Sequence, residues 1–253
     1  MRFEPDFERV DKSIVKLSFP RWPWYILPVK VSNQPFSGKK IASELIQRIR
    51  NPLNALQLNA DSLEDDITQT NIENGLERLR RIRNTISELD SLLCEVLRLS
   101  ELPKPRITAV GVNALVREVE TFAKPESSKK ELTVRINLQD NVPTIQGDPI
   151  QIKQAILNIL LNAIENSPSS GSITLATEMK DTNVSIKVED QGEGIQRAYR
   201  NRIFDPFFST KEGGIGLGLA LALEIIKMHH GYISFTSEVG KGSSFIISLP
   251  LRQ

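Results

Sequence analysis

The chain has 253 residues, with 32 basic and 31 acidic side chains, 40% hydrophobic residues and 25% charged ones. That composition is globular and too apolar for intrinsic disorder, and a formal net charge of +1 excludes a polybasic nucleic-acid binder, which needs a surplus of Lys and Arg to neutralise phosphates. No uncharged apolar run approaches the roughly 20 residues of a membrane helix, and the opening MRFEPDFERVD has no signal-peptide apolar region. The single cysteine, Cys94, has no intrachain partner for a disulfide, so the expectation is a cytoplasmic chain in a reducing compartment.

Residues 1–37 read as an irregular N-terminal arm. Pro20, Pro23 and Pro28 alternate with Phe19, Trp22, Trp24 and Tyr25, and each proline removes a donor and disfavours helix before it. Such an arm docks on its own domain or, as the alternative, on a partner. From Ser37 the period changes. Ile41, Leu45, Ile49, Leu53, Leu56, Ala60 and Leu63 recur at spacings of three and four, which predicts one apolar stripe of a long helix. A second stripe follows at Ile72, Leu76, Leu79, Ile82 or Arg83, Ile86, Leu89, Leu93 and Val96, with residues 64–69 as the turn between them. Each helix is then about 28 residues, or about 42 Å. The hairpin, residues 38–102, leaves apolar surface uncovered, so a second copy is expected to complete a four-helix bundle in a homodimer.

Leu102-Pro103-Lys104-Pro105 ends the hairpin and opens a second unit, residues 103–253. The pattern predicts helices at 112–122, 150–166 and 217–229 and strands at 132–138, 172–177, 183–189, 232–237 and 244–249. Helices and antiparallel strands in this order suggest an α+β fold, an α/β sandwich of one sheet with its helices on one face.

Four short elements of this second unit bear on chemistry. Asn158 and Asn162, four apart, put two carboxamides on one helix face, suited to a hydrated cation and nucleotide oxygens; alone, such a pair more often caps or bridges helices. Asp190-Gln-Gly192-Glu-Gly194 follows a strand and lets backbone approach a flat ligand. Phe204-Asp-Pro206-Phe207-Phe-Ser-Thr-Lys211 is an apolar loop leading to a cation. Gly214-Ile-Gly216-Leu217-Gly218-Leu219 enters a helix, whose free N–H groups suit phosphate. No strand leads into these glycines, so they are not a dinucleotide-binding fingerprint, and they are not GxxxxGK[ST].

In this order, with Gly240-Lys-Gly242-Ser-Ser-Phe245 closing the chain, these elements resemble the ATP-binding catalytic domain of sensor histidine kinases, in the superfamily of gyrase, MutL and the heat-shock ATPases. The resemblance covers residues 38–250 and implies ATP and Mg2+ as cofactors. It assigns Mg2+ to Asn162 and the adenine amino group to Asp190. The loop through Phe207 and Lys211 with Gly214, Gly216 and Gly218 becomes lid and phosphate cradle. By the same resemblance the hairpin is the dimerisation and phosphotransfer element, and a response-regulator receiver is the expected macromolecular partner, with a partner kinase as the second candidate. The superfamily's ATPases carry a glutamate base four residues before the metal asparagine; here that position is Asn158, as in histidine kinases, so direct hydrolysis is not the favoured chemistry.

One motif departs from the family. Its phosphoacceptor pattern, His-Glu/Asp-x-x-Asn/Thr-Pro-Leu, appears as Gln47-Arg48-Ile49-Arg50-Asn51-Pro52-Leu53. A carboxamide lacks the nucleophilic lone pair of imidazole, and Arg48 replaces the carboxylate that would orient it. The two histidines of the chain, His229 and His230, lie at a helix end in the second unit. The sequence therefore predicts nucleotide binding with autophosphorylation at the usual position lost. The alternatives are a non-catalytic pseudokinase regulator, or a receiver phosphatase using Asn51, the position that orients water in the family. A Ser/Thr kinase of the anti-sigma type is a further reading that the long hairpin opposes. Arg78, Arg80, Arg81 and Arg83 read as a solvated face, with receiver docking by Arg48 and Arg50 as the functional alternative.

Overall fold

The computed structural model describes residues 38–68, 72–100, 102–211 and 214–251. The N-terminal arm lies outside these residues. Helices α1 (Gly38–Thr68) and α2 (Ile72–Ser100) form the expected hairpin, and α1 continues through Pro52. Their seam uses positions spaced by three and four: Leu45, Ile49, Pro52, Leu56 and Leu63 of α1, and Ile82, Leu89, Leu92 and Val96 of α2, all partly or fully buried. Two expectations shift. The turn does not begin at Glu64, because α1 runs on to place Asp66 on the seam, where it is buried and ion-paired to Arg78 at 2.5 Å. Arg78 thus leaves the solvated face proposed for the arginine run, whereas Arg81 stays there with Glu77. The predicted stripe of α2 also divides in two: Ile72, Leu79, Ile86 and Leu93, a strict heptad, are exposed on the neighbouring face.

The second unit is built on a five-stranded sheet of β2 (Thr133–Leu138), β4 (Ser172–Lys180), β5 (Asn183–Glu189), β6 (Tyr232–Glu238) and β7 (Gly242–Pro250), in the order β2-β4-β5-β7-β6. Strand β2 pairs parallel with β4 and the remaining pairs are antiparallel, so the sheet is mixed. An all-antiparallel reading missed this because α4 (Pro149–Asn166) crosses over between those two strands and returns the chain in the same direction. Strands β1 (Thr108–Val110) and β3 (Ile145–Gly147) form a separate antiparallel pair, three residues each and too short to show a period.

Alternation within β4 and β5 buries Ile173 and Leu175, and Val184, Ile186 and Val188, against one face of the sheet. Helices α3 (Val112–Lys129), α4 and α5 (Gly218–Met228) cover it. Helix α3 outruns its predicted end at Phe122 and passes Pro125, because Ala123 and Ser127 continue its buried face. The core is thickest at α4, where Ile152, Ile156, Ile159 and Leu160 have no exposed surface. Asp148 caps α4 by accepting from the Ile150 and Gln151 amides, and its second oxygen accepts from the Arg106 amide. Its own N–H donates to Nε2 of His229, so that ring carries its proton on Nδ1, which donates to the Ile225 carbonyl. His229, fully buried, is structural as expected. It locks the start of α4 to the end of α5, and those two helices form one side of the site.

Candidate functional site

Along α4, one turn of helix separates Asn158 from Asn162 and brings both to the rim of a cavity of about 650 Å3. The cavity also gathers Asp190, Gly194, Lys211, Gly214, Gly216, Leu217, Gly218 and Leu219, so four elements separated in sequence converge on one depression. Two predicted residues sit just behind the lining. Gly192 packs against the Asn166 carbonyl, where a Cβ would collide, and Phe207 is buried with a left-handed backbone, φ 65°.

Asp190, at the end of β5, is only 4% exposed. Its Oδ1 accepts from the amides of Gly192 at 2.8 Å and Ser243 at 3.1 Å, which leaves Oδ2 for a ligand donor. Burial pushes the carboxyl above the usual carboxylate range; the two amides and Lys211 pull the other way without cancelling it, and Glu189 adds to the rise. A buried carboxylate with one oxygen already bonded is suited to reading a single N–H of a flat base. Above it, Gly194 has φ 71° and would drive a Cβ into the Glu238 carbonyl.

The asparagines play different parts. Asn158 Nδ2 donates to the Gly218 carbonyl at 3.1 Å and so ties α4 to the start of α5. Asn162 Oδ1 accepts from Asn166 Nδ2 at 3.2 Å and retains a lone pair. Two residues that sequence reading passed over complete this wall. Asn166 orients Asn162, and Glu165 holds Lys211 at 2.8 Å. Both lie three or four positions beyond Asn162, so the helical period pointed to them. Leu161 and Phe208, inside two of the motifs, supply apolar lining together with Tyr199, which no motif marked.

Beside Asn158, the same side of the site continues into the entry to α5. Its N-cap, Leu217, makes no side-chain capping bond, which leaves first-turn amides free for an anion. Gly216, with φ 72°, holds the approach, and a Cβ there would lie 2.5 Å from the Phe208 carbonyl. Among the described residues no group of three or more His, Cys, Asp or Glu side chains comes together. Asn162 offers one neutral oxygen, which fits Mg2+ held chiefly by phosphate oxygens and water and not a cation caged by carboxylates.

None of the described hairpin residues lines this cavity, but one reaches its outer edge. Gln47 and Asn51 are exposed one turn apart on α1. Arg48 is half-buried: its guanidinium donates to the Gly214 carbonyl at 3.0 Å and to the Phe207 carbonyl, and stands 5.7 Å from the centre of the Phe207 ring. It is thus held by its own chain, which leaves Arg50 exposed as the remaining member of the proposed docking pair. No described helix is long and apolar enough to cross a membrane.

Residues 147–253 match the family described as histidine kinase-, DNA gyrase B-, and HSP90-like ATPase. The chain is 33% identical over 214 residues to the sensor histidine kinase ZraS of Escherichia coli (strain K12), covering 83% of this chain and 45% of that protein. The relatives it matches are longer: the chain spans from 29% to 49% of the first four. Among solved structures, the nucleotide-free catalytic domain of histidine kinase ThkA is 30% identical with a TM-score of 0.54, covering 58% of this chain and 97% of that one. Full-length ShkA in complex with AMPPNP is 26% identical with a TM-score of 0.62, over 84% of this chain and 45% of the other. ThkA in complex with the response regulator protein TrrA is 25% identical with a TM-score of 0.67, over 84% and 61%.

Proposed function

Because this chain belongs to the sensor histidine kinase family and carries that family's catalytic core, we propose that it binds ATP with Mg2+ and acts in two-component signalling without phosphorylating its own hairpin at the usual position. The observation that carries this reading is the union of an intact cavity with an acceptor position that has no nucleophile. Asp190 Oδ2 takes the adenine amino group, and the open first turn of α5 with Gly216 takes the phosphates. Lys211 exchanges Glu165 for a phosphate oxygen, a favourable trade because the ion pair is largely exposed. Asn162, steadied by Asn166, holds the cation. Bound Mg2+ neutralises phosphate charge and makes the terminal phosphorus more electrophilic.

At the hairpin the chemistry stops. Gln47 has no imidazole nitrogen to attack phosphorus, and Arg48 has no carboxylate oxygen to accept a proton. The partner is a response-regulator receiver domain, a class supported by the regulator complex of the structural neighbour ThkA. A second copy of the chain forms the other half of a helical bundle, and a partner kinase is the source of any phosphoryl group the system carries.

Calorimetric titration with ATP, with and without Mg2+, followed by incubation with γ-labelled ATP, tests this reading. The expected result is saturable, Mg2+-enhanced binding and no acid-labile phosphate on residues 38–100. Absence of binding, or a phosphorylated hairpin, overturns it.

A further inference from the structure

Phe207 and Gly214 lie 159 and 166 residues beyond Arg48 in the chain, yet Arg48 bonds the carbonyls of both. Resting on the nucleotide-binding reading above, we propose that Arg48 is a positioning residue for the triphosphate, acting from the hairpin through the Gly214–Ile215 peptide.

The argument is one of peptide geometry. In a trans peptide the carbonyl of one residue and the N–H of the next point in opposite directions. The Arg48 guanidinium holds the Gly214 carbonyl on the hairpin side at 3.0 Å. The Ile215 N–H therefore points away from the hairpin, and Gly214, Ile215 and Gly216 all line the cavity. Among the described residues the Ile215 N–H has no hydrogen-bond acceptor. Left free, that peptide is next to two flexible glycines and turns readily; an oriented donor next to the open turn of α5 extends the anion cradle by one amide.

The second contact fixes the other anchor. Phe207 has a left-handed backbone that a bulky residue rarely adopts. Arg48 bonds its carbonyl and stands over its ring, so one side chain meets both the backbone and the aromatic group of the strained residue. Gly216 fits closely against the Phe207 and Phe208 backbone, so a shift at Phe207 is passed to the cradle. Where the acceptor motif calls for a carboxylate, the repulsion between that side chain and two carbonyl oxygens would forbid this contact. Arg48 thus replaces a group that activates an acceptor with one that grips the nucleotide site.

By reciprocity, ATP tightens the hold of Gly214 and Phe207 on Arg48 as much as Arg48 aids ATP. The test uses the full chain, wild type and Arg48→Met, which keeps the apolar stem and removes the donors. ATP with Mg2+ and adenosine are titrated into each, and amide exchange is followed for peptides covering 45–52 and 214–219. Arg48→Met is expected to bind ATP roughly five- to tenfold more weakly and adenosine equally well. ATP is expected to slow exchange at 45–52 in the wild type alone. Arg48→Lys, which can reach one carbonyl, recovers part of the loss. Equal ATP affinity in wild type and Arg48→Met, or equal weakening of ATP and adenosine, overturns the inference while the function stands. A wild type that binds neither ligand sinks the proposed function and takes this inference with it.

Discussion

Asp190 shows how a binding residue is kept at the expense of stability. Its carboxyl is buried and held above the usual range, so the folded state takes up a proton more readily than the unfolded chain. The sign follows directly. With the folded pKa raised, this residue's contribution is least favourable above that pKa, at neutral pH, and improves as the pH falls toward the ordinary carboxylate value. Asp190→Asn keeps an acceptor for the Gly192 and Ser243 amides and removes the buried charge. We predict a melting temperature at pH 7 at or above that of the wild type, with nucleotide binding lost. A variant that melts lower and still binds ATP would contradict both the strain and the adenine assignment.

Asp148 is the opposite case at the scale of an element. Burial pushes its carboxyl up, but the amides of Arg106, Gln151 and Ile150 outweigh this and hold it below the usual value of 3.8. A depressed pKa gives stability that is complete above the unfolded value and is lost as pH falls through the folded one. Asp148→Ala removes the cap of α4 and leaves the Arg106 amide without its acceptor. It should cost about 2 kcal/mol at neutral pH, the scale of a good N-cap plus an orphaned donor. In urea melts across pH, the gap between wild type and variant should narrow below about pH 4; a gap constant down to pH 3 refutes the assignment. Because α4 carries Asn158 and Asn162, and His229 joins its start to α5, loosening this cap should also weaken nucleotide binding.

For the whole molecule, the hairpin sets the question of assembly. Its seam between α1 and α2 is satisfied, yet Ile72, Leu79, Ile86 and Leu93 remain exposed in heptad spacing, with Ile46, Leu53 and Ile67 on α1 also separated by multiples of seven. Heptad-spaced apolar residues on both helices form a seam for another pair of helices. We predict a homodimer in light scattering, converted to a monomer by Leu79→Glu with Ile86→Glu. A wild-type monomer at micromolar concentration would show that this face has another use.

Much of this was legible in the chain itself. Periodicities of 3.6 and 2 marked the hairpin and most of the helices and strands, since burial of one face repeats with the geometry of the backbone. The glycines and Asn158, Asn162 and Asp190 stood out because close approach and a buried acceptor restrict residue type. Other features were decided only in three dimensions. The parallel pairing of β2 with β4, the division of α2 into two apolar faces, and the service of Glu165 and Asn166 to Lys211 and Asn162 depend on which surfaces meet. The grip of Arg48 on Phe207 and Gly214 is the clearest instance. Local sequence codes the propensity of each segment, but a hydrogen bond across more than 150 residues exists only once packing has brought its two ends together.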